Sequence, residues 1–111
     1  MIFTPEIIES VWEKAKVVEN QDMHEFRKDA FGAWIGRKFY NNNNNNKNQY
    51  GWVIGLIQPI EKGGSNHIDN LIPLQWENNE LINQGVTDRK VTANRIRNEL
   101  VIDTNHGQDI R

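Results

Sequence analysis

Between Gly51 and Asn79 the side chains able to do chemistry are few and sit close together. Glu61, His67 and Asp69 lie on or beside a Gly63-Gly64 turn. A histidine flanked by carboxylates can take a proton or hold a divalent ion. An exposed loop histidine is also an ordinary thing, and a working site needs base, ligand and orienting group within mutual reach. A second group is cationic: Arg27, Lys28, Arg37 and Lys38 fall within twelve positions. That density suits phosphate contacts about as well as it suits a solvated face paired with Glu25 and Asp29. Lys62, Arg89, Lys90, Arg95 and Arg97 extend the cationic set, whereas His24 and His106 are remote in sequence and read as surface residues. Cysteine is absent, which excludes disulfides, a thiolate nucleophile and a Cys-based zinc site.

The chain has 111 residues, 37% hydrophobic and 25% charged, the size and balance of one small soluble domain. Four tryptophans, four phenylalanines and two tyrosines supply much of the area it can bury, so aromatic packing is expected to carry the core. A net charge of −2 and a pI near 5.9 give no overall basic footprint. This weighs mildly against a nucleic-acid partner without excluding a local basic face. The first residues show no basic run followed by an apolar one, and no apolar run approaches membrane-spanning length. The expectation is a cytoplasmic protein with no membrane contact.

The elements that must position these residues follow from spacing. Thr4-Pro5-Glu6 is a helix start, since threonine can cap, proline suits the first turn and glutamate faces the positive dipole end. The spacing predicts a helix to about Val18, with Ile7, Ile8, Val11, Trp12, Ala15 and Val18 inward and Glu9, Glu13, Lys14 and Lys16 outward. Asp22 is expected to cap a second short helix from Met23 to Lys28. Phe31, Trp34, Ile35 and Phe39 are spaced to bury together, and Gly32 and Gly36 imply close backbone approach or a bend. From Asn41 to Asn48 every residue except Lys47 is asparagine, which reads as a mobile surface loop. Trp52 to Ile57 and Ile68 to Leu74 then read as strands, with a helix beginning at Gln75 and stopping at Gly85. Val91 to Ile102 reads as a helix with Ile96, Leu100 and Val101 inward, a strand at Glu99 to Asp103 being the alternative. Past Thr104 the chain is expected to fray.

Gly51-Trp52, Ile54, Ile57, Pro59, Gly63-Gly64, Asn70-Leu71, Pro73-Leu74, Trp76 and Asn78-Asn79, in that order and spacing, resemble the HNH endonuclease family, the ββα-metal nucleases, in its short bacterial and phage form. Arg27-x-Asp29 followed by Gly32, Ile35 and Tyr40 resembles the lead-in of such proteins, so the likeness covers roughly residues 5 to 85. The resemblance implies an α+β fold in which N-terminal helices pack on a ββα (HNH-like) unit, a two-stranded antiparallel hairpin plus helix. As a single domain over 1–111, this divides into a helical lead-in at 1–40, an Asn-rich loop at 41–50, the ββα unit at 51–85 and a C-terminal extension at 86–111.

In what the resemblance implies, an aspartate on the first strand and a His or Asn on the helix hold one divalent ion. A histidine beside that aspartate takes the proton from water, and the first asparagine of the motif orients it. Here Gly55 stands at the aspartate position, Leu56 at the general-base histidine, Gln75 at the later histidine and Ile82 at the usual lysine. Only Asn70, the orienting position, and Asn79, the helix metal-ligand position, match. Leucine cannot accept a proton, and loss of a positioned base alone costs about 10²–10⁴ in rate. A hard divalent ion usually wants one or two carboxylates. The resemblance therefore implies a catalytically inactive HNH-nuclease-like binding module without a cofactor, for a protein partner or nucleic acid. By analogy it would be an inhibitor or decoy from a phage or mobile element. Arg27, Lys28, Arg37, Lys38 and Lys62 would meet phosphates, and Leu56 with Trp76 and Ile82 would line a dry pocket or contact surface. The alternative is an active metal-dependent DNA endonuclease with a non-standard site that uses His67 and a metal at Asn79.

Overall fold

The computed structural model describes residues 2–41, 48–95 and 97–102. Most of the asparagine tract, at 42–47, and the tail expected to fray lie outside the described residues. Helix α1 (Pro5–Trp12) starts as expected: the Thr4 hydroxyl accepts the Ile7 N–H at 3.2 Å. It ends at Trp12 and not near Val18, because tertiary groups take over the carbonyls that a further turn would use. The Arg27 guanidinium donates to the carbonyls of Trp12, Glu13 and Ala15, and Lys16 pairs through its backbone with Lys28.

The helix expected over Met23 to Lys28 is instead a turn followed by a strand. Asp22 does cap, accepting the His24 N–H at 2.8 Å, but its carbonyl closes the turn by taking the N–H groups of Glu25 and Phe26. Strand β1 (Phe26–Lys28) then pairs antiparallel with β2 (Trp34–Gly36), with Arg27 opposite Ile35. The lead-in thus carries one α-helix and a hairpin, closed by a one-turn 3-10 helix at Arg37–Phe39.

Strands β3 (Trp52–Leu56) and β4 (Leu71–Gln75) pair antiparallel, with Gly55 opposite Ile72 and Leu56 opposite Leu71. Helix α2 (Trp76–Asn83) follows β4 without a linker, and Gly85 stops it at φ 75°. The strand, loop, strand, helix order expected here is the order formed. The helix expected over Val91 to Ile102 is not: β5 (Arg89–Ala93) and β6 (Asn98–Ile102) make a third antiparallel hairpin. Its turn is closed by the Asn94 N–H donating to Arg97 O at 2.7 Å, and the Asn78 side chain holds β5 by its Val91 backbone.

The architecture is α+β, two helices and three small antiparallel hairpins among the described residues. A two-stranded hairpin is marginal on its own, so packing must join the pieces. Val11, Trp12, Ala15, Ile35, Trp52 and Leu71 form the buried cluster, drawing on α1, β2, β3 and β4. Trp12 and Trp52 meet at 5.5 Å between ring centroids, and Tyr40 lies edge-on to Trp52 at 5.0 Å. Truncating either tryptophan would cost about 3–5 kcal/mol. Lys14, exposed as expected, also donates to the carbonyls of Ile68 and Leu71, tying the end of α1 to the entrance of β4. Among the described residues no helix is long and apolar enough to cross a membrane.

Candidate functional site

Side chains alternate across β3. Ile54 and Leu56 pack toward the tryptophan cluster, and the face at Gly55 turns to α2. A Cβ added at Gly55 would stand 2.9 Å from Asn79 Oδ1 and 2.7 Å from Leu74 Cδ1. The position where the resemblance expects a metal-binding aspartate therefore looks directly at the position where it expects the helix ligand. Around this pair runs a groove of about 490 Å³, bordered by Leu56, Ile57, Ile60, Asn79, Ile82 and Asn83, with Glu61 and Lys62 at one lip. Leu56 and Ile82 both border it. Trp76 does not border it, because its indole N–H is spent on Asn48 O at 2.9 Å.

The donors beside Gly55 do not fit a divalent ion. Gly55 has no side chain, Leu56 offers carbon, and Asn79 offers a neutral amide where hard cations want carboxylates. Among the described residues no group of three or more His, Asp or Glu is placed to hold a metal. His67 is exposed on the far part of the β3–β4 connection. Its Nδ1 accepts the Asp69 N–H at 3.3 Å and lies 3.5 Å from Asp69 Oδ2, so it caps the one-turn helix Ile68–Asn70. It does not border the groove, whereas Glu61 does.

Asn70 is the staple of that connection. Its Oδ1 accepts the Gln58 N–H at 2.8 Å, while its Nδ2 donates to Gln58 O at 3.0 Å and Ser65 O at 2.8 Å. A Cβ at Gly64 would lie 1.7 Å from Gln58 O, so the chain crosses itself there at a distance only glycine permits.

Gln75, where the resemblance expects a histidine, is fully buried and caps α2. Its Oε1 accepts the N–H groups of Glu77 and Asn78 at 2.9 and 3.2 Å. Behind it lies a polar cluster that spacing did not reveal. The buried Asp29 carboxylate accepts the N–H groups of Phe31, Ala33 and Gln75 and the Asn78 Nδ2–H, all at 2.9–3.0 Å. Asn78 Oδ1 accepts the Val91 N–H and its Nδ2 donates to Val91 O, as a strand neighbour would. Asn98 does the same for β2, bonding the Trp34 N–H and carbonyl at 2.6 and 2.9 Å. Side-chain amides thus join three separate hairpins. Burial pushes the Asp29 carboxyl above its ordinary 3.8, against the pull of its four hydrogen bonds.

The cationic residues scatter. Arg27 is 6% exposed, with Nε on Met23 O at 2.9 Å, Nη1 on the end of α1, and its guanidinium 5.6 Å from the Trp12 ring. Lys28 lies over Trp34 at 4.7 Å. Arg37 pairs with Glu9, both bordering a cleft of about 470 Å³ with Trp12, Phe39 and Trp52. Lys38 borders the same cleft over Phe39, and Lys62 is exposed at the groove lip. No protein-family model, curated protein or solved structure matches the chain.

Proposed function

We propose that the chain is a binding module on an HNH-nuclease-like frame, without the nuclease chemistry, and that its partner is a protein. The observation that carries this reading is the confrontation of Gly55 with Asn79. The two positions that the resemblance assigns to metal ligands face each other at contact distance, and between them they offer one neutral amide. The groove around them is walled by Leu56, Ile57, Ile60 and Ile82, of which the three isoleucines are exposed.

Placement of the cations favours protein over nucleic acid. Duplex binding draws its affinity from basic groups free to meet phosphates. Arg27 is turned inward, Arg37 is matched by Glu9, and Lys62 stands beside Glu61. Supercoiled plasmid incubated with the protein and Mg²⁺, Mn²⁺, Ni²⁺ or Zn²⁺ tests the central claim, and no nicking above the buffer control is expected. Nicking that vanishes with chelator and in His67→Ala would instead establish the active-endonuclease alternative.

A further inference from the structure

The register of β3 and β4 decides which backbone groups face the partner strand and which face away. The Ile57 N–H donates to Asn70 O and the Trp76 N–H to Gly51 O, so the odd-numbered residues 51–57 turn their polar groups toward β4. Trp52, Ile54 and Leu56 turn theirs outward. On β4 the outward residues are Leu71, Pro73 and Gln75, and none of them offers a free N–H. Lys14 takes the Leu71 carbonyl at 2.7 Å, Pro73 has no N–H, and the Gln75 N–H goes to Asp29 at 2.9 Å.

On β3 only the first outward residue is covered. Tyr40 pairs with Trp52 in parallel, and the Asn41 N–H donates to Trp52 O at 2.8 Å. Asn41 itself adopts a left-handed φ of 60°. Among the described residues the N–H and C=O of Ile54 and Leu56 have no hydrogen-bond partner. Both residues border the groove beside Gly55.

We propose that the outer edge of β3 is a peptide-binding site. An extended segment of a partner protein adds as a strand to Ile54–Leu56, parallel to β3, and sets an uncharged apolar side chain between Ile57, Ile60 and Ile82. This deepens the binding-module reading and rests on it for treating the groove as a docking surface. The mode is strand addition, in which main-chain hydrogen bonds supply affinity and a neighbouring pocket supplies selectivity. It continues a backbone interface already begun by Tyr40 and Asn41 on the same edge. Charge agrees with the occupant: Glu61 and Lys62 cancel at the lip, and the opposite wall offers the neutral amides of Asn79 and Asn83, one turn apart on α2. A polyanion would find neither net positive charge nor a ladder of donors and acceptors to complement.

The probe is a displayed library of random peptides of about twelve residues selected on the full chain, a length that spans the edge at about 3.3 Å per residue. Enriched peptides are then synthesised and titrated by NMR with amide hydrogen exchange. Apolar-alternating peptides are expected, with slowed exchange at the Ile54 and Leu56 amides. Ile82→Glu should weaken binding about tenfold or more, while Ile102→Glu, at a comparably exposed position on β6, leaves it unchanged. A selection without winners, or winners that leave those two amides unprotected, overturns the proposal, as does duplex DNA that protects them in place of peptide. The plasmid assay keeps the two readings separable. Nicking ends the functional proposal and leaves the exchange data standing, whereas absent protection without nicking ends only the strand-edge site.

Discussion

Asp29 Oδ2 accepts the Gln75 N–H at 2.9 Å and the Asn78 Nδ2–H at 3.0 Å, so one oxygen fastens the first hairpin's turn to the start of α2. Its companion Oδ1 holds the turn itself through the N–H groups of Phe31 and Ala33. Asp29→Asn would aim an NH₂ at one of these pairs of donors. With a residue only 1% exposed, each donor left unpaired costs about 1–3 kcal/mol. The urea midpoint at neutral pH should fall accordingly, and an unchanged midpoint would refute the fastening role.

The same carboxyl sets a pH dependence. Burial holds its folded-state value above the 3.8 of an unfolded aspartate, so on acidification the native state takes up the proton first. Its contribution to stability is complete below 3.8 and is lost as pH rises through the raised value. Urea unfolding of wild type and Asp29→Asn, compared from pH 7 downward, should show the variant's deficit widening through that window. A deficit that narrows on acidification would contradict the sign.

Arg27→Lys keeps the charge but not the fork that reaches Met23 O and the carbonyls ending α1. Loss of these buried charge-assisted bonds should cost about 1.5–3 kcal/mol. Calorimetry would register this as a lower Tm. Any residual DNA retention at low salt should be the same for both proteins, since the guanidinium does not face solvent. A selective loss of retention with Tm preserved would place Arg27 at a phosphate after all.

Two glycines on the β3–β4 unit should respond unequally to alanine. At Gly64 the new Cβ meets the Gln58 carbonyl, which is backbone and cannot swing aside. At Gly55 it meets the ends of the Leu74 and Asn79 side chains, which can. Gly64→Ala is expected to cost at least the 1–3 kcal/mol, in order of magnitude, of overpacking, and Gly55→Ala less. Equal denaturation midpoints for the two variants would count against the crossing at Gln58.

Local signals were legible where the chain obeys them. Thr4 and Pro5 start a helix, Gly85 stops one, and two apolar runs around Gly63-Gly64 pair as strands. What spacing could not show is competition from far away. The periodicity of Ala15 and Val18 favoured more helix, yet Arg27 from another element claimed the carbonyls. Met23 to Lys28 has a helical cap and became turn and strand, because Phe26 to Lys28 find their partners at Trp34 to Gly36. The β-branched Val91, Thr92, Val101 and Ile102 were the available hint of the last hairpin. The candidate site was legible as positions, Gly55, Leu56, Asn70 and Asn79, but its surroundings were not. Nothing in an apolar period marks Asp29, Asn78 or Asn98 as buried, since each has partners in elements remote in sequence.

The closed outer edge of β4 has a bearing on self-association. Growth of a cross-β stack requires each unit to present an acceptor side and a donor side, so that every arrival creates the next vacancy. This hairpin has Pro73, the Lys14 ammonium on Leu71 and the Asp29 carboxylate on Gln75 along one flank. A strand that docks at Ile54 and Leu56 therefore finishes a three-stranded ladder, and the hairpin can take a partner without becoming a seed for its own polymer.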